Sequence, residues 1–345
     1  KFCEYPNPPS RNKTKKEEKC AVANVKVEIR PEVHKKTNTK EADARKTKVE
    51  NEDVEKRVRE LVEEFKDVFD DGSELKPMQC EPIKIELRED AVPFALSHPR
   101  AIPYSRVPLV EKEIKDMLNR GIIEKVTHPT DWVSSIVTPP KPSGGIRVCQ
   151  DYRKLNEFVK RPWYPMKTPS MVIDSLPKNA KWFTTIDAKN GYWMLPLDEE
   201  SRDLTTFICP SGRYRFLRAP MGLVNVQDRF DQIIDETFEG TPNTGVIRED
   251  IIVGTEDLDE HFRITSEVLQ KCRDRGITVN GAKFKCAQKE VTFCGFRISE
   301  KGIEYDPRKI DAIQNFPSPT NVTELRSFLG MSNQLGGFVR ELSMA

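Results

Sequence analysis

Apolar residues recur every three or four positions in several stretches of the chain. The clearest are residues 54–69, residues 105–118 with Gly121 just past the end, and residues 258–272 followed by Gly276. This spacing places an apolar stripe along one side of a helix, and glycine commonly follows the last helical residue. The pattern therefore predicts amphipathic helices here. Two more helices are predicted at residues 227–238 and from Asn321, where Glu324 completes a capping box.

Short apolar runs bounded by turn residues lie between the predicted helices. Residues 183–187 read FTTID, and residues 245–254 read GVIREDIIVG. Runs of this length that are rich in Val, Ile, Thr and Phe predict β-strands, and acids between two such runs predict a hairpin tip. One or two further strands are predicted at residues 77–96. Residues 134–138 and 145–152 are predicted to pair as two strands joined by residues 139–144. Two more hairpins are predicted, one at residues 207–216 and one beginning at residues 293–296.

Residues 1–50 differ in composition from the rest of the chain. They are rich in Lys, Glu, Asn, Thr and Pro and contain few large apolar residues. Such a segment cannot bury enough apolar surface to offset the entropy lost on ordering. We therefore expect a disordered charged linker at 1–50. A basic nucleic-acid-binding tail is the alternative, but acids interleave with the lysines.

The overall composition excludes several classes of protein. The 345 residues carry a formal net charge of +1, so any basic groove has to be local. The eight cysteines are scattered, with no C-x-x-C spacing and no matching histidines, which argues against a zinc knuckle or a disulfide framework. No run of eighteen apolar residues and no signal-peptide core occurs. We expect an intracellular protein, in a cytoplasmic particle or the nucleus, without a membrane partner.

Three acids stand at the ends of predicted strands. Asp187 ends one strand, and Glu249 and Asp250 occupy a hairpin tip. A single acid after a strand is commonly only a turn cap, so the pair carries the inference. Clustered carboxylates repel one another unless a cation neutralises them, and Mg²⁺ prefers such oxygen ligands. Two metal ions held by shared carboxylates are used in nucleotidyl transfer.

These motifs resemble those of reverse transcriptases, most closely those of gypsy-type LTR retrotransposon Pol polyproteins. That family has its first acid in an LDLxxGYxxIP run, and residues 186–196 read IDAKNGYWMLP. Residues 151–156 (DYRKLN) match a second family signature, and residues 324–330 (ELRSFLG) match a run in the family's thumb. The resemblance covers roughly residues 55–340. It implies an α+β, right-hand polymerase fold with an antiparallel palm sheet backed by helices and a β-hairpin fingers subdomain.

The resemblance also implies a division of the chain and roles for particular residues. An N-terminal helix and extended lead-in would occupy 51–104, fingers and palm 105–255, and the rest of the palm, a primer-grip hairpin and the start of the thumb or connection 256–345. The implied catalytic and metal-holding residues are Asp187, Glu249 and Asp250; the implied nucleotide-binding residues are Lys141, Arg147, Tyr192 and Met221; and the implied primer grip is Phe293, Cys294 and Gly295. Without the resemblance, Lys141 and Arg147 are ordinary surface charges and Tyr192 an ordinary core residue.

The implied activity is RNA-directed DNA synthesis by two-metal transfer from a dNTP to a primer 3′-hydroxyl, with Mg²⁺ or Mn²⁺ and a primed RNA or DNA template. One motif departs from the family, because residues 247–250 read IRED where the family has Tyr-x-Asp-Asp. The alternative is therefore a catalytically impaired or domesticated nucleic-acid-binding relative. A third alternative is a structural protein of polymerase-like shape. We also expect the protease, RNase H and integrase of a Pol polyprotein to lie outside this sequence, since residues 71–73 (DGS) have the wrong order for a protease motif.

Overall fold

A computed structural model of the protein describes residues 40–69, 75–141, 144–189 and 191–335. Most of the linker expected at 1–50, the DGS run at 71–73 and the last ten residues lie outside the described residues. Within the described part, no helix is long and apolar enough to cross a membrane.

Nine α-helices lie in the described part of the chain. The first begins at Lys40, fourteen residues before the first apolar position that predicted it, because the preceding Lys, Glu, Ala and Arg residues favour a helix without forming an apolar stripe. The others lie near their predicted positions where a prediction was made. The helices are α1 (Lys40–Glu64), α2 (Val107–Asn119), α3 (Arg153–Asn156), α4 (Pro169–Asp174), α5 (Glu199–Arg202), α6 (Val224–Phe238), α7 (Leu258–Arg275), α8 (Pro307–Gln314) and α9 (Val322–Leu335).

Twelve strands form three sheets among the described residues. The strands are β1 (Ile123–Lys125), β2 (Ser134–Val137), β3 (Cys149–Gln150), β4 (Trp182–Asp187), β5 (Phe207–Cys209), β6 (Gly212–Phe216), β7 (Thr244–Ile247), β8 (Asp250–Thr255), β9 (Lys285–Gln288), β10 (Glu290–Phe293), β11 (Phe296–Ser299) and β12 (Gly302–Tyr305).

The central sheet has the strand order β7-β8-β4-β9 and is antiparallel throughout. Helices α6 and α7 pack against it. Ile251, Ile252 and Val253 of β8 are all buried, as is Phe183 of β4, because the middle strands are covered on both faces. This is the antiparallel palm sheet backed by helices that the sequence predicted.

A second sheet has the order β1-β6-β5-β2-β3. Strands β2 and β3 form the predicted fingers hairpin, which continues beyond its regular strands through a bridge between Pro140 and Ile146. Strand β3 is shorter than predicted, since it covers Cys149–Gln150 only.

The third sheet, β10-β11-β12, precedes the two C-terminal helices. Its first turn is formed by Cys294 and Gly295, which both have positive φ (48° and 83°). A two-residue hairpin turn needs positive φ at both positions if its twist is to match that of the strands. Helix α9 begins as predicted, with the Glu324 N–H donating to Asn321 Oδ1 at 2.9 Å.

The strands predicted at 77–96 do not form. Only isolated bridges occur there, at Ile83, Leu87 and Ala95. Pro82 and Pro93 interrupt the segment, and a residue without an N–H cannot continue a ladder.

Candidate active site

The pairing of β4 with β8 brings two of the predicted acids together. In this antiparallel register Asp187 lies directly opposite Asp250. Residues opposed in this way have Cβ atoms about 4.5–5.5 Å apart. Two acids separated by more than sixty residues in sequence therefore become nearest neighbours at one edge of the palm sheet.

Asp187 is also bound by two residues that follow α7. Lys283 Nζ lies 2.7 Å from Asp187 Oδ2, and Asn280 Nδ2 donates to Asp187 Oδ1 at 3.2 Å. The Asn280 N–H further donates to the Asp187 carbonyl oxygen at 2.8 Å. Both carboxylate oxygens of Asp187 thus have protein partners, one of them a cation.

The electrostatic environment of the other two acids is unfavourable to charge. Burial raises the pKa of Asp250, and the negative charge of Asp187 raises it further. Burial likewise raises the pKa of Glu249, followed by the charges of Asp250 and Asp187. Like charges held together in a half-buried site are stabilised when a cation binds between them.

Glu249 stands in a turn that directs its carboxylate towards the strand-to-helix connection after β4. Arg248 and Glu249 form the turn between β7 and β8, with Arg248 at φ 54°. A Cβ built on Gly191 would lie 3.5 Å from Glu249 Oε2, so this oxygen lies beside Gly191. Within the described residues, no group of three or more His, Cys, Asp or Glu side chains is arranged to hold a metal ion. The structure thus places Asp187 opposite Asp250, and Glu249 in the adjoining turn.

The fingers hairpin carries the two predicted phosphate-binding cations. Near its tip, the two arms are joined by backbone hydrogen bonds. The Arg147 N–H donates to the Pro139 carbonyl oxygen (2.9 Å), and the Lys141 N–H donates to the Gly145 carbonyl oxygen (3.0 Å). Lys141 Nζ lies 3.7 Å from a carboxylate oxygen of Glu113 in α2. Arg147 is exposed and has no ion pair among the described residues, which leaves its guanidinium available to an anion.

Tyr192 lines a cavity of about 160 Å³ together with residues 222–224. Its ring packs edge-on against Phe230, with centroids 5.2 Å apart. Burial, and then the charge of Glu249, raises the pKa of Tyr192 to about 12. Met221 is 49% exposed and precedes the cavity-lining Gly222.

Asn156 fastens the loop that lines this cavity. Its side-chain amide donates to the Gly222 carbonyl oxygen at 2.8 Å and accepts from the Val224 N–H at 3.2 Å. The last residue of the DYRKLN run therefore holds the loop that starts α6. The sequence analysis assigned no such role to Asn156, because its partners lie 66 and 68 residues away.

The turn of the predicted primer grip reaches the palm acids. Cys294 Sγ lies 3.8 Å from Asp250 Oδ2. Burial, followed by the negative charge of Asp250, raises the pKa of Cys294 to about 12, so the thiol stays protonated. Gly295 has a φ of 83°, a left-handed conformation that a residue with a side chain rarely adopts, and the end of the Lys309 side chain lies against it. Phe293 is buried beneath the turn.

Comparison with protein families and curated proteins identifies relatives of one kind. The model of the family "Reverse transcriptase (RNA-dependent DNA polymerase)" matches residues 139–298. The Pol polyprotein of the transposon opus from Drosophila melanogaster is 32% identical over 294 residues, which is 81% of this chain and 28% of that protein. The Pol polyprotein of the transposon gypsy, from the same species, is 32% identical over 240 residues, or 68% of this chain and 23% of that protein. The chain thus spans 28% or less of either relative.

Solved structures give the same relationship. The foamy viral protease-reverse transcriptase in complex with double-stranded DNA has a TM-score of 0.78 and 25% identity, and covers 92% of this chain and 56% of that one. A second foamy viral complex with double-stranded DNA has a TM-score of 0.75 and 26% identity, over 81% and 58% of the two chains. The right-hand polymerase fold predicted from the sequence is confirmed by these likenesses.

Proposed function

Because residues 139–298 belong to the reverse transcriptase family, we propose that the protein is an RNA-directed DNA polymerase that extends a primer with deoxynucleotides. The observation that carries this proposal is the direct pairing of Asp187 with Asp250 at the edge of the palm sheet. Two opposed carboxylates that can hold a divalent cation are what nucleotidyl transfer needs at its centre.

Asp187 and Asp250 fit a divalent cation. Both supply only oxygen ligands, and the pKa of Asp250 is raised partly by the charge of Asp187, which a bound cation would offset. When bound, Mg²⁺ would lower the pKa of the primer hydroxyl and neutralise charge on the triphosphate. For Asp187 to contribute, its carboxylate has to exchange Lys283 for the cation, since Lys283 now holds one of its oxygens.

The other predicted site residues would bind and orient the nucleotide and the primer. Arg147 offers a planar, forked donor to the triphosphate, and Lys141 offers a point charge once it leaves Glu113. Tyr192 would stand against the sugar, and the loop held by Asn156 would lie under the new base pair. Cys294 and Gly295 would place the primer strand beside Asp250.

A binding-only function is the second candidate, and the position of Glu249 favours it. Its Oε2 lies beside Gly191, and the described residues include no ready three-acid metal group. Binding of a duplex depends mainly on phosphate contacts spread over a large surface. It would therefore be retained even if Glu249 cannot hold a metal ion. Both functions therefore require binding of a nucleic-acid duplex, and only the first includes primer extension.

Primer extension on poly(rA)/oligo(dT) with Mg²⁺, and separately with Mn²⁺, tests the proposal. We expect extension that Asp187→Asn lowers about a hundredfold or more, because the variant loses a charge at the metal site. Duplex affinity, measured by fluorescence anisotropy at one fixed salt concentration, should change little. Duplex binding without extension in either metal would establish the binding-only function, and extension unaffected by Asp187→Asn would refute the assigned site.

Shortening Tyr192 should relax sugar selection. We expect Tyr192→Ala to raise the ratio of ribonucleotide to deoxynucleotide incorporation about tenfold or more, because the ring no longer opposes a 2′-hydroxyl. The measurement is single-nucleotide incorporation of each substrate class. Tyr192→Phe keeps the ring against Phe230 and should leave the ratio unchanged. An unchanged ratio in Tyr192→Ala would remove Tyr192 from the nucleotide site.

A further inference from the structure

A row of three acids lies along one side of α6. Asp228, Asp231 and Asp235 follow one another at intervals of three and four residues, which places them on the same side of a helix. The outer two each have a cationic partner from the connection between α3 and α4. Arg161 donates to both oxygens of Asp228, at 2.6 and 3.0 Å, and Lys167 Nζ donates to Asp235 at 2.7 Å.

The middle acid has no such partner. Asp231 is only 8% exposed, and its Oδ1 atom is buried without a hydrogen bond. Burial raises its pKa to about 6. A buried carboxylate without a partner destabilises the folded state, and proteins keep such groups where they serve a function. Asp231 is therefore placed to receive a cation that is not yet on it.

The cavity beside Asp231 identifies that cation. It is small, with a volume of about 20 Å³, and its lining includes Asp231, Asp235, Lys167 and Arg248. Lys167 already binds Asp235. Arg248 is exposed, and among the described residues it forms no ion pair. It belongs to the turn that also carries Glu249, so the position of its guanidinium affects the palm acids.

We propose that Asp231 is the docking site of the Arg248 guanidinium, and that this ion pair keeps the positive charge of the turn away from Asp187 and Asp250. Coulomb energy falls with distance, so a guanidinium held at Asp231 opposes a divalent cation less than one free to swing over the acids. Asp231 is then a positioning residue that acts through Arg248. The inference rests on the proposed function, because it concerns metal binding at the same acids.

A double-mutant cycle on the full chain tests the pair, with Mn²⁺ as the probe and its binding followed by electron paramagnetic resonance. We expect Asp231→Asn to weaken Mn²⁺ binding about fivefold, because the released Arg248 opposes the ion. In an Arg248→Met background the same change should have no effect. Glu236→Gln, which changes an exposed acid of α6 outside the cavity lining, is the matched control and should leave Mn²⁺ affinity unchanged in both backgrounds.

Other Mn²⁺-binding results would contradict either the proposed ion pair or the proposed function. An equal loss from Asp231→Asn in both backgrounds would mean that Asp231 attracts the ion by its own charge, and no loss in the Arg248-containing chain would mean that the two do not interact. Absence of Mn²⁺ binding in the unaltered chain would refute the proposed function itself. Thermal melts of all six chains establish that folding is retained.

Discussion

Replacing Glu249 with Asp is expected to raise the single-turnover rate of primer extension in Mg²⁺ about a hundredfold. Glu is one methylene longer than Asp, which moves its oxygens by about 1 Å or more, and a misplacement of this size can lower a rate about a hundredfold. In the structure Glu249 Oε2 lies beside Gly191. Mg²⁺ requires near-ideal octahedral geometry, so a displaced ligand affects it strongly.

The gain should appear in kcat more than in KM for the nucleotide, because the repaired interaction tightens in the transition state. Mn²⁺ should relieve part of the defect of the unaltered chain. Glu249→Gln keeps the side-chain length without the charge and serves as the control, for which we expect no gain. Equal rates for the unaltered chain and Glu249→Asp would show that the longer acid is accommodated.

Local sequence patterns predicted the parts of the fold that depend on neighbouring residues. The acid-ended strand at 183–187 became β4, the GVIREDIIVG run became the hairpin of β7 and β8, and α7 ends at Gly276 in the left-handed conformation. These features follow from residue periodicity and turn chemistry, which a short window of sequence contains. The family resemblance then supplied the expectation that the two acid motifs meet.

Contacts between distant residues were not predictable in the same way. Asn280 and Lys283 bind Asp187 across 93 and 96 residues, and nothing in their own surroundings indicates an acid partner. The unpartnered state of Asp231 is equally invisible, since its spacing on α6 matches that of its paired neighbours. The lead-in at 77–96 was wrongly predicted as strand because weak alternation there reflects buried single residues such as Ile83, not a ladder.

The second large effect is expected for a buried histidine between α7 and the palm sheet. His261 of α7 is fully buried; its Nε2 lies 2.6 Å from Thr184 Oγ1 and its Nδ1 lies 3.0 Å from Thr255 Oγ1. The ring thus connects α7 with β4 and β8. Thr184 precedes Asp187 by three residues on the same strand, so the contact supports the strands that carry the paired acids.

His261 should make the fold sensitive to acid. Burial lowers its pKa to about 3, whereas the ordinary value is 6.5. Between these values the unfolded chain binds a proton that the folded chain does not, so the free energy of unfolding falls as pH decreases from about 6.5 towards 3. The slope from this one group is about 1.4 kcal/mol per pH unit. Above pH 6.5 the histidine is neutral in both states and its contribution is constant.

Urea unfolding at pH 7.0, 5.5 and 4.5 measures this contribution when the unaltered chain is compared with His261→Gln. At pH 7 the variant should be less stable by about 1–3 kcal/mol, because two buried hydroxyl groups lose a well-placed partner. At pH 4.5 the difference should be smaller by about 2.5 kcal/mol, since only in the unaltered chain does the unfolded state bind a proton that the folded state excludes. Carboxylates with raised pKa values, such as Asp231, have the opposite pH dependence but contribute to both chains and cancel in the comparison. His98→Gln, which removes an exposed imidazole, is the matched control. A stability difference for His261→Gln that stays constant with pH would show that the buried ring accepts a proton without unfolding.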